Sequence, residues 1–378
     1  MKNRITDHKN LNLTELNRQI LRGESKGKII WQPIIGCWYD DKIFVGEELP
    51  EPFREMSLSE IYRELGCSAR CYEYNSCFVK INDPQVKEYS RKISELETEY
   101  TLETPIGKIN SSVSANISNN GLYPKKWWIE SEENMKVAAW IEEKCIWKWD
   151  EKKYHEILLE WGDLGLPTMF MPRVNIQYLY IDIMGFERAV YAIYDYPKTV
   201  GKFFKILSES HERLIEVINA SPLEAINFGD NLHSGTLPPD LFKEYVLPEY
   251  IKRNELLHKA NKFTSSHWDG NTKALLPFAK ECGLDGIEAI TPKPQGDVTL
   301  EEIKLALGDD VFLVDGIAAI LFDRIFSIQE LEKQAKKIIE LFAPKLILGI
   351  SDEISSTGDI ERIKMIQSIV DEYNAKIN

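Results

Sequence analysis

The chain has 378 residues, of which 43% are hydrophobic and 28% charged, a composition typical of a globular enzyme that forms one large domain or two smaller ones. Its 60 acidic residues outnumber its 46 basic residues and give a formal net charge of −14. Without a local basic patch, this balance excludes binding to a nucleic-acid backbone. The sequence contains no run of about 18 apolar residues, which excludes a membrane-spanning helix.

The N-terminal sequence and the cysteines favour a cytoplasmic protein. The first stretch of the chain is too polar for a signal peptide. The six cysteines are scattered, and the spacing of Cys67, Cys71 and Cys77 does not match that of a zinc knuckle. Cysteines in this pattern are typically reduced thiols, so we expect a cytoplasmic location.

The first part of the chain, about residues 1–160, mixes helical and extended patterns. Apolar spacing and a serine three residues before a glutamate, as in a capping box, mark its helices. We predict helices over 12–24, 57–66 and 131–150, a buried strand over 28–39, and a hairpin that turns at 105–107. This part is expected to elaborate a larger domain.

From about residue 165 to residue 378 the pattern becomes regular, because short apolar strands alternate with amphipathic helices. The predicted strands are 167–174, 225–231, 262–270, 285–292, 311–317 and 345–353. Such alternation indicates right-handed βαβ units and a parallel sheet. Six units in one run favour a single closed (β/α)8 TIM-type barrel over residues 1–378. The alternative is an open doubly wound sheet, which usually carries a G-x-G-x-x-G turn that this sequence lacks.

Polar residues stand at the carboxyl ends of these strands, where parallel barrels place their active sites. In chain order they are Asn227, Asp230, His267, Asp269, Glu288, Asp315, Ser351, Asp352 and Glu353. Some of these side chains are expected to cap the following helices. Capping does not explain His267, Asp269 and Glu288, because these residues lie inside the strands or at their edges.

His267 and Asp269 are two positions apart, so an extended chain directs both side chains to the same face. Glu288 lies on the next strand. One imidazole nitrogen and two carboxylates can bind Zn²⁺ and leave a fourth position open. The other interpretation of His267 is a hydrogen-bonded core histidine.

The chain resembles the uroporphyrinogen decarboxylase superfamily. The segments that carry the resemblance are NFGDN, LFKEYVLPEY, SSHWDGNT, CGLDGIEAITPKPQGDVTLEE, VDGI and LILGISDE. The resemblance implies a single (β/α)8 barrel. True uroporphyrinogen decarboxylases carry paired arginines near the first strand, whereas the corresponding segment here, IIWQPIIGCWYDD, has no arginine and two aspartates. Like charges would meet if a polycarboxylate bound there, which argues against that activity.

The other branch of the superfamily contains zinc-dependent methyltransferases that exchange methyl groups with a corrinoid protein. His267 matches the histidine of their H-x-C zinc motif, but Asp269 stands at the cysteine and Ser351 lies near the last cysteine ligand. Glu288 resembles an extra glutamate ligand of related enzymes. The resemblance therefore implies a zinc site of His267, Asp269 and Glu288. Without thiolates, the ion would be a harder Lewis acid, suited to an ether oxygen.

The predicted function is therefore methyl transfer from a methoxylated substrate, with an aryl methyl ether as one candidate, to the cobalt of a partner corrinoid protein. The predicted catalytic residues are Asp230, His267 and Glu288, and the predicted substrate-binding residues are Asn227, Arg173, Tyr178 and Trp38. Two alternatives stay open: a cofactor-free lyase related to the decarboxylases, and a non-catalytic relative that binds a tetrapyrrole or corrinoid.

Overall fold

The fold is a parallel β-barrel with helices outside it and an antiparallel insertion in its first part. The computed structural model describes residues 12–117 and 121–377. The strands are β1 (Ile30–Trp31), β2 (Phe78–Ile81), β3 (Lys87–Lys92), β4 (Glu97–Thr104), β5 (Gly107–Ala115), β6 (Leu122–Lys126), β7 (Ile146–Trp149), β8 (Thr168–Met171), β9 (Ala225–Leu232), β10 (Phe263–Trp268), β11 (Gly286–Glu288), β12 (Phe312–Ala318) and β13 (Leu346–Ser351).

The helices cover the outside of this barrel and connect its strands. They are α1 (Leu13–Leu21), α2 (Gly36–Val45), α3 (Leu58–Leu65), α4 (Glu132–Lys144), α5 (Glu151–Trp161), α6 (Asn175–Tyr178), α7 (Phe186–Asp195), α8 (Pro197–Ala220), α9 (Pro239–Leu241), α10 (Leu247–His258), α11 (Leu300–Leu307), α12 (Ile328–Phe342) and α13 (Ile360–Ala375). Within the described residues, no helix has both the length and the apolar character needed to cross a membrane.

The main sheet curls in the order β1-β13-β12-β11-β10-β9-β8, and all of its pairings are parallel. Residues 67–71 lie between its two edges. The Ser68 amide donates to the carbonyl oxygen of Trp31 in β1 at 2.9 Å, and Cys71 forms a parallel bridge with Pro167, just before β8. This segment therefore takes the place of an eighth strand, as the predicted TIM-type barrel requires.

The antiparallel insertion consists of two small sheets. Strands β3 to β6 form a four-stranded meander, and β2 pairs with β7. The predicted hairpin is confirmed, because Thr104 of β4 pairs with Gly107 of β5. The outer strand β3 is exposed along its whole length, and its mixture of lysine, glutamate and arginine keeps this open edge from pairing with other chains.

Three predicted elements differ from the structure. The strand predicted over 28–39 is only β1, because Pro33 has no amide to continue the ladder, and helix α2 follows. The helix predicted over 131–150 ends at Lys144, where the alternating Ile-Trp-Lys-Trp sequence forms β7 instead. The helix predicted after β10 is reduced to a 3₁₀ turn, Leu276–Phe278, around Pro277.

The barrel interior changes from apolar to polar along its axis. At the amino-terminal end, Ile30, Phe312, Val314 and Ile347 form a buried cluster that Ile20 of α1 closes from below. The carboxyl ends of the same strands carry buried polar side chains, among them Asn227, His267, Glu288 and Asp315. A hydrophobic floor beneath a polar layer is the arrangement that places an active site at the upper face of a barrel.

Candidate functional site

Five side chains from five positions around the barrel meet in its polar layer, and we call them the Arg70 cluster. Asn227 lies on β9, His267 on β10, Glu288 on β11, Asp315 on β12, and Arg70 on the closing segment 67–71. Strand register aligns them, because Ser265 pairs with Asn227 and His267 pairs with Glu288. The cluster therefore gathers residues that are far apart in the sequence.

Arg70 lies at the centre of the cluster, and its side chain is only 5% exposed. Its Nη1 donates to Glu288 Oε1 at 2.5 Å and to Asp315 Oδ2 at 3.1 Å, while its Nη2 donates to Asp315 Oδ1 at 2.7 Å. Its Nε donates to the side chain of Gln32 at 3.0 Å. These bonds use four of the five guanidinium N–H groups. Burial disfavours the charged guanidinium, but the attraction of Asp315 and Glu288 is stronger than this effect and raises the pKa of Arg70.

Glu288 is fully buried, and both of its carboxylate oxygens are engaged. Besides Arg70, the Tyr72 hydroxyl donates to Oε1 at 3.2 Å, and the side-chain amide of Asn227 donates to Oε2. Burial acts to raise the pKa of Glu288, but Arg70 and then His267 outweigh it and lower that pKa. Glu288 is therefore a charged carboxylate held by several donors.

Asp315 reaches the barrel interior through an unusual backbone conformation. Along β12, Val314 packs in the interior cluster and Leu313 in the core outside the sheet, so simple alternation would direct Asp315 outward. Its φ of 81° turns it inward instead, a conformation that non-glycine residues rarely adopt and that concentrates at functional sites. Gly349 on β13 leaves the necessary space, since a Cβ atom there would lie 2.1 Å from Asp315 Oδ1. Burial raises the pKa of Asp315, and Arg70 opposes this effect.

Two buried polar atoms of the cluster have no hydrogen-bond partner: His267 Nδ1 and Asn227 Oδ1. The Asn227 amide nitrogen is bonded to Glu288 and to Ser265, which leaves its oxygen as a free acceptor. His267 Nδ1 lies 3.8 Å from Glu288 Oε1. Burial lowers the pKa of His267, but Glu288 outweighs burial and raises it to about 9. Unsatisfied buried groups are rare in proteins, and here they offer one donor and one acceptor to a ligand.

Asp230, predicted to be catalytic, lies outside the Arg70 cluster. Its Oδ1 accepts from the Val174 amide at 2.7 Å, and its Oδ2 accepts from the hydroxyl of Tyr250 in α10 at 2.6 Å. Tyr250 also contacts the Ser266 hydroxyl. Because Asn227 faces the barrel interior, strand alternation directs Asp230 toward the surrounding helices. In the structure Asp230 connects β9 to the residue before α6 and to α10, apart from the Arg70 cluster. Its predicted catalytic role stays a prediction.

The predicted substrate-binding residues other than Asn227 have their partners elsewhere. Arg173 pairs with Asp182 at 2.8 Å. Trp38 is 1% exposed and packs edge-on against Phe53. Tyr178 lines a separate cavity of about 170 Å³ whose other walls include Lys80, Glu142 and Trp128. Of the four predicted residues, the structure places only Asn227 in the Arg70 cluster.

The residues present do not fit the predicted zinc site. Within residues 12–117 and 121–377, no group of three or more His, Cys, Asp or Glu side chains is arranged to hold a metal ion. Glu288 has both oxygens bonded to donors, and Asp269 is partly exposed beyond the end of β10. Ser351, near the place of a cysteine ligand in the resemblance, donates to the Ile290 carbonyl oxygen at 2.9 Å and joins neighbouring strands.

The sequence patterns described above do not point to Arg70, Gln32 and Tyr72 as site residues. Arg70 and Tyr72 fall in a short segment that lacks a run of β-branched residues. A signal was nevertheless present, because helix α3 ends at Gly66 and follows a strand. In a βαβ unit, the next segment has to return to the sheet as a parallel strand. The residues after Gly66 could therefore have been assigned to the barrel.

The rim around the cluster is acidic. Glu353 accepts from the backbone amide of Cys37 at the start of α2. Burial, Glu353, Asp41 and Glu73 all raise the pKa of Asp40. Next to α2 lies an open pocket of about 590 Å³, lined by Trp38, Asp41 and residues 356–361, among others. A rim of this charge repels polyanionic ligands.

Comparisons with known proteins agree with this architecture. The sequence model of the uroporphyrinogen decarboxylase (URO-D) family matches residues 178–373. The solved structures similar to the chain include a methyltransferase from Methanosarcina mazei, with 13% sequence identity and a TM-score of 0.59 over 96% of this chain and 99% of that chain. At this identity, the likeness shows a shared fold. No curated protein matches the chain.

Proposed function

The chain belongs to the uroporphyrinogen decarboxylase family, and from this premise we propose that it is a methyltransferase. In this proposal, it moves a methyl group from an O-methylated small molecule, preferably an aryl methyl ether, to the cobalt of a corrinoid carried by a partner protein. The observation that carries the proposal is the pair of unpartnered atoms, His267 Nδ1 and Asn227 Oδ1, within the buried Arg70 cluster. The name of the structurally similar Methanosarcina mazei protein also supports methyl transfer.

The proposed chemistry breaks a carbon–oxygen bond, so the departing oxygen needs a proton. A corrinoid in the Co(I) state supplies the electron pair that attacks the methyl carbon. His267 Nδ1 is buried and its pKa is raised to about 9, so its imidazole can give a proton to the departing oxygen at neutral pH. The products are methyl-Co(III) and an alcohol or phenol. A phenol with a pKa of about 10 is a better leaving group than an alcohol, which favours aryl ethers.

Asn227 Oδ1 is suited to orient the substrate. It can accept a hydrogen bond from a hydroxyl group next to the methoxy group, while Glu288 fixes the orientation of the Asn227 amide. On the rim, α2 exposes Ile43, Phe44 and Val45, and Val45 lines the pocket of about 590 Å³. Exposed apolar patches of this kind typically contact another protein, here the proposed corrinoid protein.

Two features disfavour decarboxylation of a polycarboxylate. Arg70 uses four of its five donors within the protein, so it is not free to bind a substrate carboxylate. The acidic rim, with Asp40, Asp41 and Glu353, repels such a substrate.

A methyl-donor screen tests the proposed function. The full chain is incubated with cob(I)alamin and a panel of aryl and alkyl methyl ethers, and corrinoid absorbance is followed. We expect methyl-Co(III) with at least one aryl ether, and a rate about 10²–10⁴ times lower for His267→Ala. His155→Ala is the matched control, because His155 is 62% exposed and forms a surface ion pair with Glu151.

The two alternatives give different results in the same screen. Release of carbon dioxide from a carboxylated substrate, with no methylation of cobalamin, would indicate a lyase. A coloured complex with corrinoid that turns over no methyl donor would indicate a binding protein. Either result contradicts the methyltransferase proposal.

A further inference from the structure

Glu288 and Asp315 are both fully buried and share one counter-ion. An uncompensated buried carboxylate is very unfavourable, so two of them around one position require a cation. Arg70 Nη1 bonds to both carboxylates, and Nη2 adds a second bond to Asp315. The guanidinium therefore supplies, from within the chain, the cation that the two acids require.

A zinc ion and Arg70 compete for the same oxygens. Glu288 Oε1 already accepts from Arg70 and Tyr72, and Oε2 accepts from Asn227. Zinc ligation requires a free lone pair on these oxygens, and the three bonds leave only one of the four lone pairs of the carboxylate, on Oε2. It would also place a second cation beside the guanidinium around one buried carboxylate, where repulsion is poorly screened.

Arg70 is also fixed in its place by the fold. It stands on the segment that closes the barrel, and its Nε donates to Gln32, directly after β1. Gln32 is held in turn, because its side-chain nitrogen donates to the Ser68 hydroxyl at 3.1 Å and to the Ala69 carbonyl oxygen at 3.2 Å. The guanidinium cannot leave the two acids without breaking bonds in the wall of the barrel.

From this arrangement we propose that Arg70 is a built-in cation that replaces the active-site metal, and that the site excludes zinc. The inference deepens the proposed function, because it concerns the same site and rests on its being the place of methyl transfer. Arg70 is a positioning residue: it holds Glu288, which contacts His267 and Asn227. The leaving oxygen is then stabilised by a proton from His267, without a Lewis acid.

Zinc binding tests the proposal without measuring methyl transfer. The wild-type chain is exposed to excess zinc and dialysed, and its zinc content and melting temperature (Tm) are measured with and without a chelator. We expect far less than one zinc per chain and an unchanged Tm. A content of about one zinc per chain that His267→Ala abolishes would overturn the proposal, whatever the result of the methyl-donor screen.

Substitution of Arg70 provides the second arm. Arg70→Met removes the charge and leaves two buried acids uncompensated, so we expect a lower Tm that zinc raises by several degrees. In Arg70→Met with Glu288→Gln, this zinc response should disappear. Arg70→Lys keeps the charge and should show no zinc response. If zinc stabilises wild type and Arg70→Met equally, or stabilises neither, Arg70 does not occupy a cation site. If Arg70→Met does not fold, the zinc content and Tm of the wild type and of Arg70→Lys decide whether the site excludes zinc.

Discussion

Two buried acids at strand ends, Glu288 on β11 and Asp230 on β9, have different environments. Glu288 faces the barrel interior, and Arg70 and His267 lower its pKa. Asp230 faces the helices, and burial raises its pKa although Arg253 and a hydrogen bond from Tyr250 oppose the rise. Their side chains look alike in the sequence, and only the direction in which each points separates a member of the Arg70 cluster from a residue outside it.

The role of Asp230 leads to a prediction about Tyr250. Tyr250→Phe removes the bonds to Asp230 and Ser266 without changing the packing of the ring. Leaving the buried carboxylate with one donor fewer should cost about 1–3 kcal/mol of stability, measured by denaturant unfolding. The rate of methyl transfer by the folded variant should be unchanged. A large loss of rate at full stability would support the catalytic role predicted for Asp230.

Among the elements, the closing segment 67–71 is the least apparent in the sequence and the most important for the site. The strands after residue 165 were predicted because their apolar runs are bounded by helices with clear spacing. The closing segment is short, lacks β-branched residues, and contacts its neighbours through few backbone bonds. Its position depends on a tight contact with the loop before β8, which no local pattern encodes.

Two glycine substitutions test this contact. A Cβ atom on Gly165 would lie 2.0 Å from the Ala69 carbonyl oxygen, whereas one on Gly201, within α8, would meet nothing within 4 Å. Gly165→Ala must push the closing segment away, and we expect a loss of about 1–3 kcal/mol in the free energy of unfolding. Gly201→Ala should gain about 0.5–1 kcal/mol from helix propensity. Chemical denaturation measures both, and equal effects would contradict the close contact.

In the whole molecule, most charges lie on the surface, but some are buried between helices. His211 of α8 is buried, and its Nδ1 accepts from Arg253 of α10 at 2.6 Å. Arg253 also donates to the Pro172 carbonyl oxygen at 3.0 Å. Burial, followed by Arg253, Lys80 and Arg213, lowers the pKa of His211 well below its ordinary value. The folded protein therefore keeps this imidazole neutral.

Stability should depend on pH through His211. The unfolded chain takes up a proton at this residue below a pH of about 6.5, and the folded protein does not. The contribution of the neutral His211 imidazole to the free energy of unfolding is thus complete above that pH. It is lost as the pH falls, by up to about 1.4 kcal/mol per pH unit. Between pH 7.5 and 5, His211→Gln should lose less stability than wild type in urea unfolding. His155→Gln, altered at an exposed site, should follow wild type.

The sequence is sufficient to predict the barrel, the regular strand–helix alternation after residue 165, and three members of the Arg70 cluster. Asn227, His267 and Glu288 follow from strand alternation and strand ends, which are local properties. Arg70 could not be identified in this way, because its partners lie on strands far along the chain. Asp315 stood in the row of strand-end acids, but its inward direction depends on a positive φ that the sequence does not show.

The distance along the chain between Arg70 and Glu288, 218 residues, has a consequence for folding. During synthesis the closing segment emerges long before β11 and β12, so its guanidinium stays in water until both acids arrive. Contacts of such long range form only after a large loss of chain entropy, and they slow folding. The charges of the interior are balanced only when the closing segment has met β11 and β12. In a barrel that has not closed, Glu288 and Asp315 lack their cation and resist burial. Such a chain is therefore more inclined to open again than to collapse with its strands in a wrong register.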